Sequence, residues 1–279
     1  MGTMLQPWMI PADLAPGDVK YAERDWAGFE LHRIRDTVTA EFEAAYGALW
    51  AEFGAKHEME TADVLARRLQ WNPHELVNGC ALFYELLLVT RGGALVGVRD
   101  HTAIVDPAHA LAVVHLSHNL VAPEWRRSGI AGWLRALPVG TAREALAAQD
   151  LPESSPIFLV AEMEHANPAD EARTTRLAAY GKAGYRKLAA VPYLQPDFRT
   201  PEEIDASGGP RPLPLSLLVR EVGDDSHAAL PAETVRHIVE CLYRMYGAEF
   251  RTQDMACVWK NLERFPRDGV VPLVPPTEP

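Results

Sequence analysis

The apolar and polar residues of the chain change period several times. Ile34, Val38, Phe42, Ala45, Leu49 and Phe53 recur at helical spacing and Gly54 follows where a C-terminal cap belongs, which predicts an amphipathic helix. A second helix is predicted over 63–70. Three apolar segments then follow, 82–90, 94–105 and 111–121, separated by Arg91-Gly92-Gly93 and by a break at 106–110, and they read as a meander of strands. After them the order alternates: a helix over 127–148, a buried strand over 156–164, and a helix over 168–183. That last helix has Asn167 at its N-cap, Pro168 at its first position and Gly184 just past its end. Strands over 185–193 and 215–221 complete a mixed α/β sheet.

The flanks read differently. Residues 1–30 show no clear alternation, and 200–214, rich in Pro, Gly and acidic residues, reads as a long loop inside the sheet. Val235, Ile238, Val239, Leu242 and Met245 mark an amphipathic helix ended by Gly247, and Met255, Val258, Trp259 and Leu262 mark another. From Phe265 onward come Pro266, Pro272, Pro275, Pro276 and Pro279, so an extended or disordered tail is expected. The chain therefore divides into an N-terminal segment (1–30), an α/β domain (31–221), a C-terminal helical extension (222–265) and a Pro-rich tail (266–279).

Composition narrows the function classes. At 279 residues and 48% hydrophobic content the chain can bury a full core. A net charge of −11 argues against a sequence-independent grip on nucleic acid, which needs a surplus of Lys and Arg, and mildly favours a cationic small molecule. The longest apolar run, 81–89, is broken by Glu85 and is too short to span a bilayer, and no basic stretch leads into an apolar one. A cytoplasmic protein with no membrane partner is expected. Cys80, Cys241 and Cys257 are odd in number and lack CxxC spacing, which argues against a disulfide framework or a structural zinc site, so free thiols and no metal are expected.

The chemistry concentrates in "APEWRRSGIAGWL", residues 122–134, at the junction of a strand and a helix. A helix N-terminus carries unpaired N–H groups and partial positive charge, so a small-residue turn leading into it suits an anion. Ser128, Gly129, Ile130, Ala131 and Gly132 form such a turn; Gly129 and Ala131 leave the backbone open to a phosphate, and Arg126 and Arg127 add charge. A plain strand-to-helix turn is the alternative. There is no G-x-G-x-x-G, no G-x-x-x-x-G-K-[ST] and no G-x-S-x-G. In the strand before the turn, alternation places His115, Ser117, Asn119 and Val121 on one face, a polar stripe that either lines a cavity or hydrogen-bonds internally.

These residues resemble a family. "VAPEWRRSGIAGWL" resembles motif A of the GNAT superfamily of acyl-CoA N-acyltransferases, [QR]-x-x-G-x-[GA], here Arg126-Arg127-Ser128-Gly129-Ile130-Ala131. "AAYGKAGYRKL", 178–188, is similar to the helix of that family that ends in Y-x-K-x-G-[FY], here Tyr180, Lys182, Gly184 and Tyr185. The resemblance covers residues 30–221. It implies a GNAT-like fold, a central twisted and mostly antiparallel sheet flanked by helices, with acetyl-CoA as co-substrate and no metal. It also implies that the amides of Arg127 to Gly132 cradle the CoA pyrophosphate. Leu120 and Val121 would then meet the pantetheine arm through backbone groups, where their strand splays from the next.

His115, fourteen residues before Gly129, takes the place of the family's base, and a His with an ordinary pKa near 6.5 suits deprotonation of an ammonium. Tyr180 takes the place of the acid that protonates the leaving thiolate. Arg173, where many members carry Asn, and Arg176 share the helical face of Tyr180 and could reach CoA phosphates. Glu162 and Glu164 share a face of the strand that follows the long helix, and either could act as base in place of His115 or hold a cationic acceptor. The implied activity is acetyl transfer to a primary amine of a small molecule or peptide in a direct ternary complex. The rival is a CoA-binding regulatory or interaction module without turnover. The C-terminal helices are left to cover an acceptor pocket, shield an edge or make a homodimer contact.

Overall fold

The three central apolar segments form the strands they predict, and the rest of the fold is built onto them. The computed structural model describes residues 2–56, 58–224 and 226–278. In chain order the first elements are β1 (Thr3–Met4), β2 (Phe29–Ile34), α1 (Ala40–Phe53), α2 (Ala62–Arg68), β3 (Leu76–Val77), β4 (Cys80–Arg91), β5 (Ala94–Asp106) and β6 (Leu111–Val121). They are followed by α3 (Ile130–Ala148), β7 (Ile157–Met163), α4 (Glu171–Lys182), β8 (Arg186–Leu188), β9 (Leu194–Gln195), α5 (Pro201–Ala206), β10 (Leu213–Pro214) and β11 (Ser216–Glu221). The chain ends in β12 (Ala229–Pro231), α6 (Ala232–Tyr246), α7 (Thr252–Leu262) and β13 (Val270–Val274).

One sheet runs β1-β2-β4-β5-β6-β7-β11-β8-β13-β12, with β3 on the edge of β4. Every pairing in it is antiparallel except β6 with β7. The fold is thus mixed α/β with a mostly antiparallel central sheet, as the element pattern predicts. Helices cover both faces, so β4 is buried from Cys80 to Thr90 except for a half-buried Phe83. On one face α3 and α4 set Val139, Ala142, Leu146 and Leu177 against Ala103, Val105, Ala112 and Val114. On the other, α1 and α2 pack Phe42, Leu49 and Leu65 on Tyr84, Leu86 and Val98. Beside them α6 and α7 pack Val235, Leu242 and Val258 on Leu82, Ile104, Val113 and Val160.

Several expectations change. Ile34 ends β2 instead of opening a helix, and Val38 is 85% exposed. The helix starts only after Thr39, whose hydroxyl accepts the Phe42 N–H at 3.1 Å and so satisfies one otherwise orphaned donor. α4 is capped by Asp170, which accepts from the Arg173 N–H, while Asn167 closes the preceding turn on Ala169. Within 200–214 lies α5, opened by a reciprocal capping box between Thr200 and Glu203. The Pro-rich tail contributes β13, which pairs Leu273 and Val274 with β8 and buries Val271. β13 lies between β8 and β12, and its one proline, Pro272, faces Ala229 of β12 while its carbonyl accepts the Ala189 N–H.

Cys80 and Cys241 are buried and Cys257 half-buried, all as free thiols. Cys80, Cys241 and Asp106 converge to within 4.8 Å, and the Arg244 guanidinium lies 3.5 Å from the Asp106 carboxylate. Among the described residues no helix is long and apolar enough to cross a membrane.

Candidate active site

β6 and β7 are parallel neighbours that pair only over Ala112–His115 and Ile157–Val160. Beyond His115 the strands part, and among the described residues the side of β6 that faces β7 has no ladder partner from Leu116 to Val121. On its other side β6 stays paired with β5, but with a bulge: Thr102 faces His115 and Asp100 faces His118, so His101 alone opposes both Leu116 and Ser117. The extra residue reverses the alternation. His115, His118 and Leu120 therefore point to the face of α1 and α6, and Val121 packs with Ile130 and Trp133 of α3 on the other. This corrects the uninterrupted stripe His115, Ser117, Asn119, Val121, because a bulge breaks the period of two on which that reading rests.

At the point of divergence three side chains form a relay. His115, 5% exposed, has Nε2 at 3.0 Å from Glu162 Oε2 and Nδ1 at 3.2 Å from the Ser117 hydroxyl. Glu162 also accepts from the Tyr246 hydroxyl at 2.7 Å, from Gln195 Nε2 at 2.5 Å and from the Tyr193 hydroxyl. Burial pushes the Glu162 carboxyl up, but the neighbouring imidazole and the two tyrosine hydroxyls outweigh it and hold the group below its ordinary range. A carboxylate so held accepts the proton on His115 Nε2. That tautomer leaves Nδ1 as an acceptor, turned toward Ser117 in the bulge.

His118, three residues on, is built differently. Its Nδ1 lies 3.0 Å from Asp100 Oδ1 and its Nε2 lies 2.8 Å from the Glu58 carbonyl, so both ring nitrogens face acceptors. Two donors on one ring require the imidazolium. Burial lowers its pKa, but the Asp100 charge and hydrogen bond outweigh burial and raise it to about 9. Burial likewise pushes Asp100 up, and the cation beside it wins, leaving the carboxyl at about 2. His118 is thus a saturated cation and not a base.

After β6 the chain turns into α3 through two residues of positive φ, and the amides of Ser128 and Gly132 donate to the Trp125 and Gly129 carbonyls. Arg127 sits at φ 65° and Gly129, the residue before α3, at φ 98°. α3 starts at Ile130 with no acidic residue in its first turn. The Ser128 hydroxyl accepts the Ile130 N–H at 3.2 Å, Ile130 and Gly132 are buried, Ala131 is half-buried, and Arg126 reaches back to the Val121 carbonyl at 3.5 Å.

Tyr180, half-buried on α4, packs edge-on against Tyr185 with ring centroids 5.0 Å apart. It belongs to the α3 face, opposite the face that holds His115. Glu164 lies apart from His115: its carboxylate takes Arg173 at 2.7 Å and Arg176 at 2.5 Å, and Arg173 also donates to the His165 carbonyl. Glu164 and Arg173 thus tie the start of α4 to the end of β7. The residues that sequence reasoning did not join to His115 are Tyr193, Gln195 and Tyr246, which come from two regions outside any motif. A cavity of about 320 Å³ lined by Trp8, Leu31, Glu85, Leu137 and Thr141 lies on the α3 face, away from this relay, and its Glu85 is already paired with Arg33 and Thr141.

No family model matches the sequence, and no curated protein does. Solved structures do match it in part. A GNAT family acetyltransferase from Elizabethkingia anophelis with acetyl-CoA bound is 17% identical, covering 70% of this chain and 99% of its own, at a TM-score of 0.39. An aminoglycoside 6'-N-acetyltransferase complexed with coenzyme A is 12% identical over 70% of this chain and 97% of its own, at 0.39. An N-acetylglutamate synthase from Neisseria gonorrhoeae complexed with coenzyme A and N-acetyl-glutamate is 11% identical over 70% of this chain and 35% of its own, at 0.40. Many of the solved structures that this chain is similar to are GNAT family acetyltransferases, the family its two sequence motifs resemble.

Proposed function

We propose that the protein is an N-acyltransferase that moves an acetyl or related acyl group from CoA to a primary amine of a small molecule or peptide. The observation that carries this reading is the parting of β6 from β7 at His115 and Val160, with a base relay at the fork and an anion turn at the end of the same strand. In this reading the backbone of Leu120 and Val121, on the edge of β6 that β7 leaves open, takes the pantetheine amides, and the amides from Arg127 to Gly132 take the pyrophosphate, with Arg126 and Arg127 adding charge. The thioester carbonyl then lies in the fork between the two faces.

The acceptor amine is an ammonium near neutral pH and must lose a proton to attack. Ser117 receives that proton as its own hydroxyl proton passes to His115 Nδ1, and Glu162 stabilises the imidazolium through Nε2–H. Attack forms the N–C bond, the C–S bond breaks, the thiolate of CoA takes a proton from Tyr180 on the opposite face, and the second proton released by the nitrogen as it becomes an amide returns to the Tyr180 phenolate through solvent. Glu164 and Arg173, which pair with each other, are assigned no step.

Calorimetric titration with acetyl-CoA, followed by thiol release across a panel of amines, tests the reading. We expect binding and amine-dependent release. His115→Ala should lower kcat by about 100-fold or more, with the affinity for CoA within about threefold of wild type. Absence of CoA binding overturns the reading of the turn. Binding without release for every amine favours a CoA-binding module, and an unchanged rate in His115→Ala removes the base assignment.

A further inference from the structure

The anion turn of α3 is already covered, by the chain's own N-terminal segment. The Tyr21 ring lies over Gly129, where a Cβ would come within 2.6 Å of it, and the Arg24 guanidinium donates to the Ser128 carbonyl. Asp18, 7% exposed, sets its carboxyl group beside the first turn of the helix, so that a Cβ on Gly132 would come within 2.8 Å of its Cγ. Its Oδ2 accepts from Arg135 at 2.7 Å. α3 lacks an acidic residue in its first turn, and a carboxylate from 114 positions earlier in the sequence stands there in its place.

The same segment bridges to the far side of the fork. Gly17 is pressed against the Lys182 carbonyl at the end of α4, closely enough to leave no room for a side chain. Arg220 of β11 donates to the carbonyls of Asp13 at 3.3 Å and Leu14 at 3.4 Å. Residues 13–24 thus span from α3 to α4 and β11 on the face opposite His115. Backbone bonding within the segment is all local, in short turns such as Asp18 N–H to the Ala15 carbonyl and Arg24 N–H to the Tyr21 carbonyl, with no ladder to any strand among the described residues, and Val19 is 50% exposed.

A second, independent observation points to a missing ligand. Arg99 of β5 is fully buried, and all three of its guanidinium nitrogens lack a hydrogen-bond partner among the described residues. It faces Asn119, which has an unpartnered buried Oδ1. The Tyr185 hydroxyl is likewise buried and without a hydrogen-bond partner among the described residues, and the charges of Arg99, Arg135 and Arg220 oppose the rise in its pKa that burial causes. An unpaired buried charge costs several kcal/mol, so a fold that keeps one is poised for a group that repays the cost.

We propose that residues 13–24 are a strap that seats Asp18 in the anion cradle as an internal competitor of the CoA phosphates, and that CoA enters by displacing it, uncovering Arg99 for its own polar groups. This rests on the reading of the turn as a CoA site. The apparent affinity of the intact chain is then reduced by the fraction of molecules whose strap is closed. Asp18→Asn removes the competing charge and Tyr21→Ala uncovers Gly129, and each should tighten CoA binding by about five- to tenfold, the size expected of a carboxylate at a helix N-terminus. Hydrogen exchange on the wild-type chain supplies a measurement that needs no variant: saturating CoA should speed exchange over 13–24 and slow it over 130–134. Tighter binding in the variants together with that exchange pattern supports the strap. CoA binding with an unchanged, protected strap and unchanged variant affinities overturns the strap and leaves the CoA reading standing. Failure of wild type and both variants to bind CoA overturns both.

Discussion

Two histidines three residues apart on one strand differ in chemistry because of what meets each ring nitrogen. His115 has one carboxylate and one hydroxyl, which leaves Nδ1 able to accept a proton; His118 has a carboxylate and a carbonyl, which leaves nothing to accept. The pH dependence of the Asp100–His118 pair follows. Between the folded Asp100 value of about 2 and its ordinary 3.8, the unfolded chain binds more protons and stability rises with pH. The pair's contribution is fully present from there to the ordinary His value of 6.5, and it is lost as pH rises through about 9, because there the folded chain holds a proton that the unfolded chain has released. Imidazole NMR should show His118 titrating near that upper value, and Asp100→Asn should bring it down by more than a unit. An unmoved resonance would mean that Asp100 is not the group that holds the charge.

At the scale of elements, the junction of β6, the turn and α3 depends on one residue's backbone. Gly129 sits at φ 98°, which a side chain tolerates poorly, and any Cβ there also meets Tyr21. Gly129→Ala should therefore destabilise the protein by about 1–2 kcal/mol in urea unfolding. A neutral result would show that the turn can relax into another conformation and that its shape is not fixed in advance of any ligand. Much of this junction is legible in the sequence: the alternation of β4 to β6, the small-residue turn, and the apolar spacing of α6 and α7 all point to the elements they form. The bulge at Leu116–Ser117 is not, because whether one residue or two oppose His101 depends on the partner strand. Asp170 caps α4 while the Asn167 side chain is used to close the turn on Ala169, and β13 lies hidden in a Pro-rich stretch of which only Pro272 falls inside the strand. Asp18 was beyond any local reading, since the helix it serves begins over a hundred residues away.

Across the whole molecule the C-terminal third is part of the sheet that carries the site. Tyr246 of α6 holds Glu162, Tyr243 donates to the Leu194 carbonyl, and β13 extends the strand order past β8, so Leu82, Val160, Val235 and Val271 share one core. A site that takes one of its hydroxyls, that of Tyr246, from α6 can keep its geometry only if that helix opens no more readily than the strands beneath it. Native-state hydrogen exchange should therefore give the core amides of α6 and β6 the same opening free energy, that of global unfolding. Val271→Ala removes two buried methyl groups from the edge of that core and should lower both values together by about 2 kcal/mol, although Val271 touches neither His115 nor Glu162. If α6 and α7 open at a clearly lower free energy than β6, and Val271→Ala lowers only theirs, the helices behave as a separable cover, and the tyrosine bonds to Glu162 break and re-form without unfolding the fork.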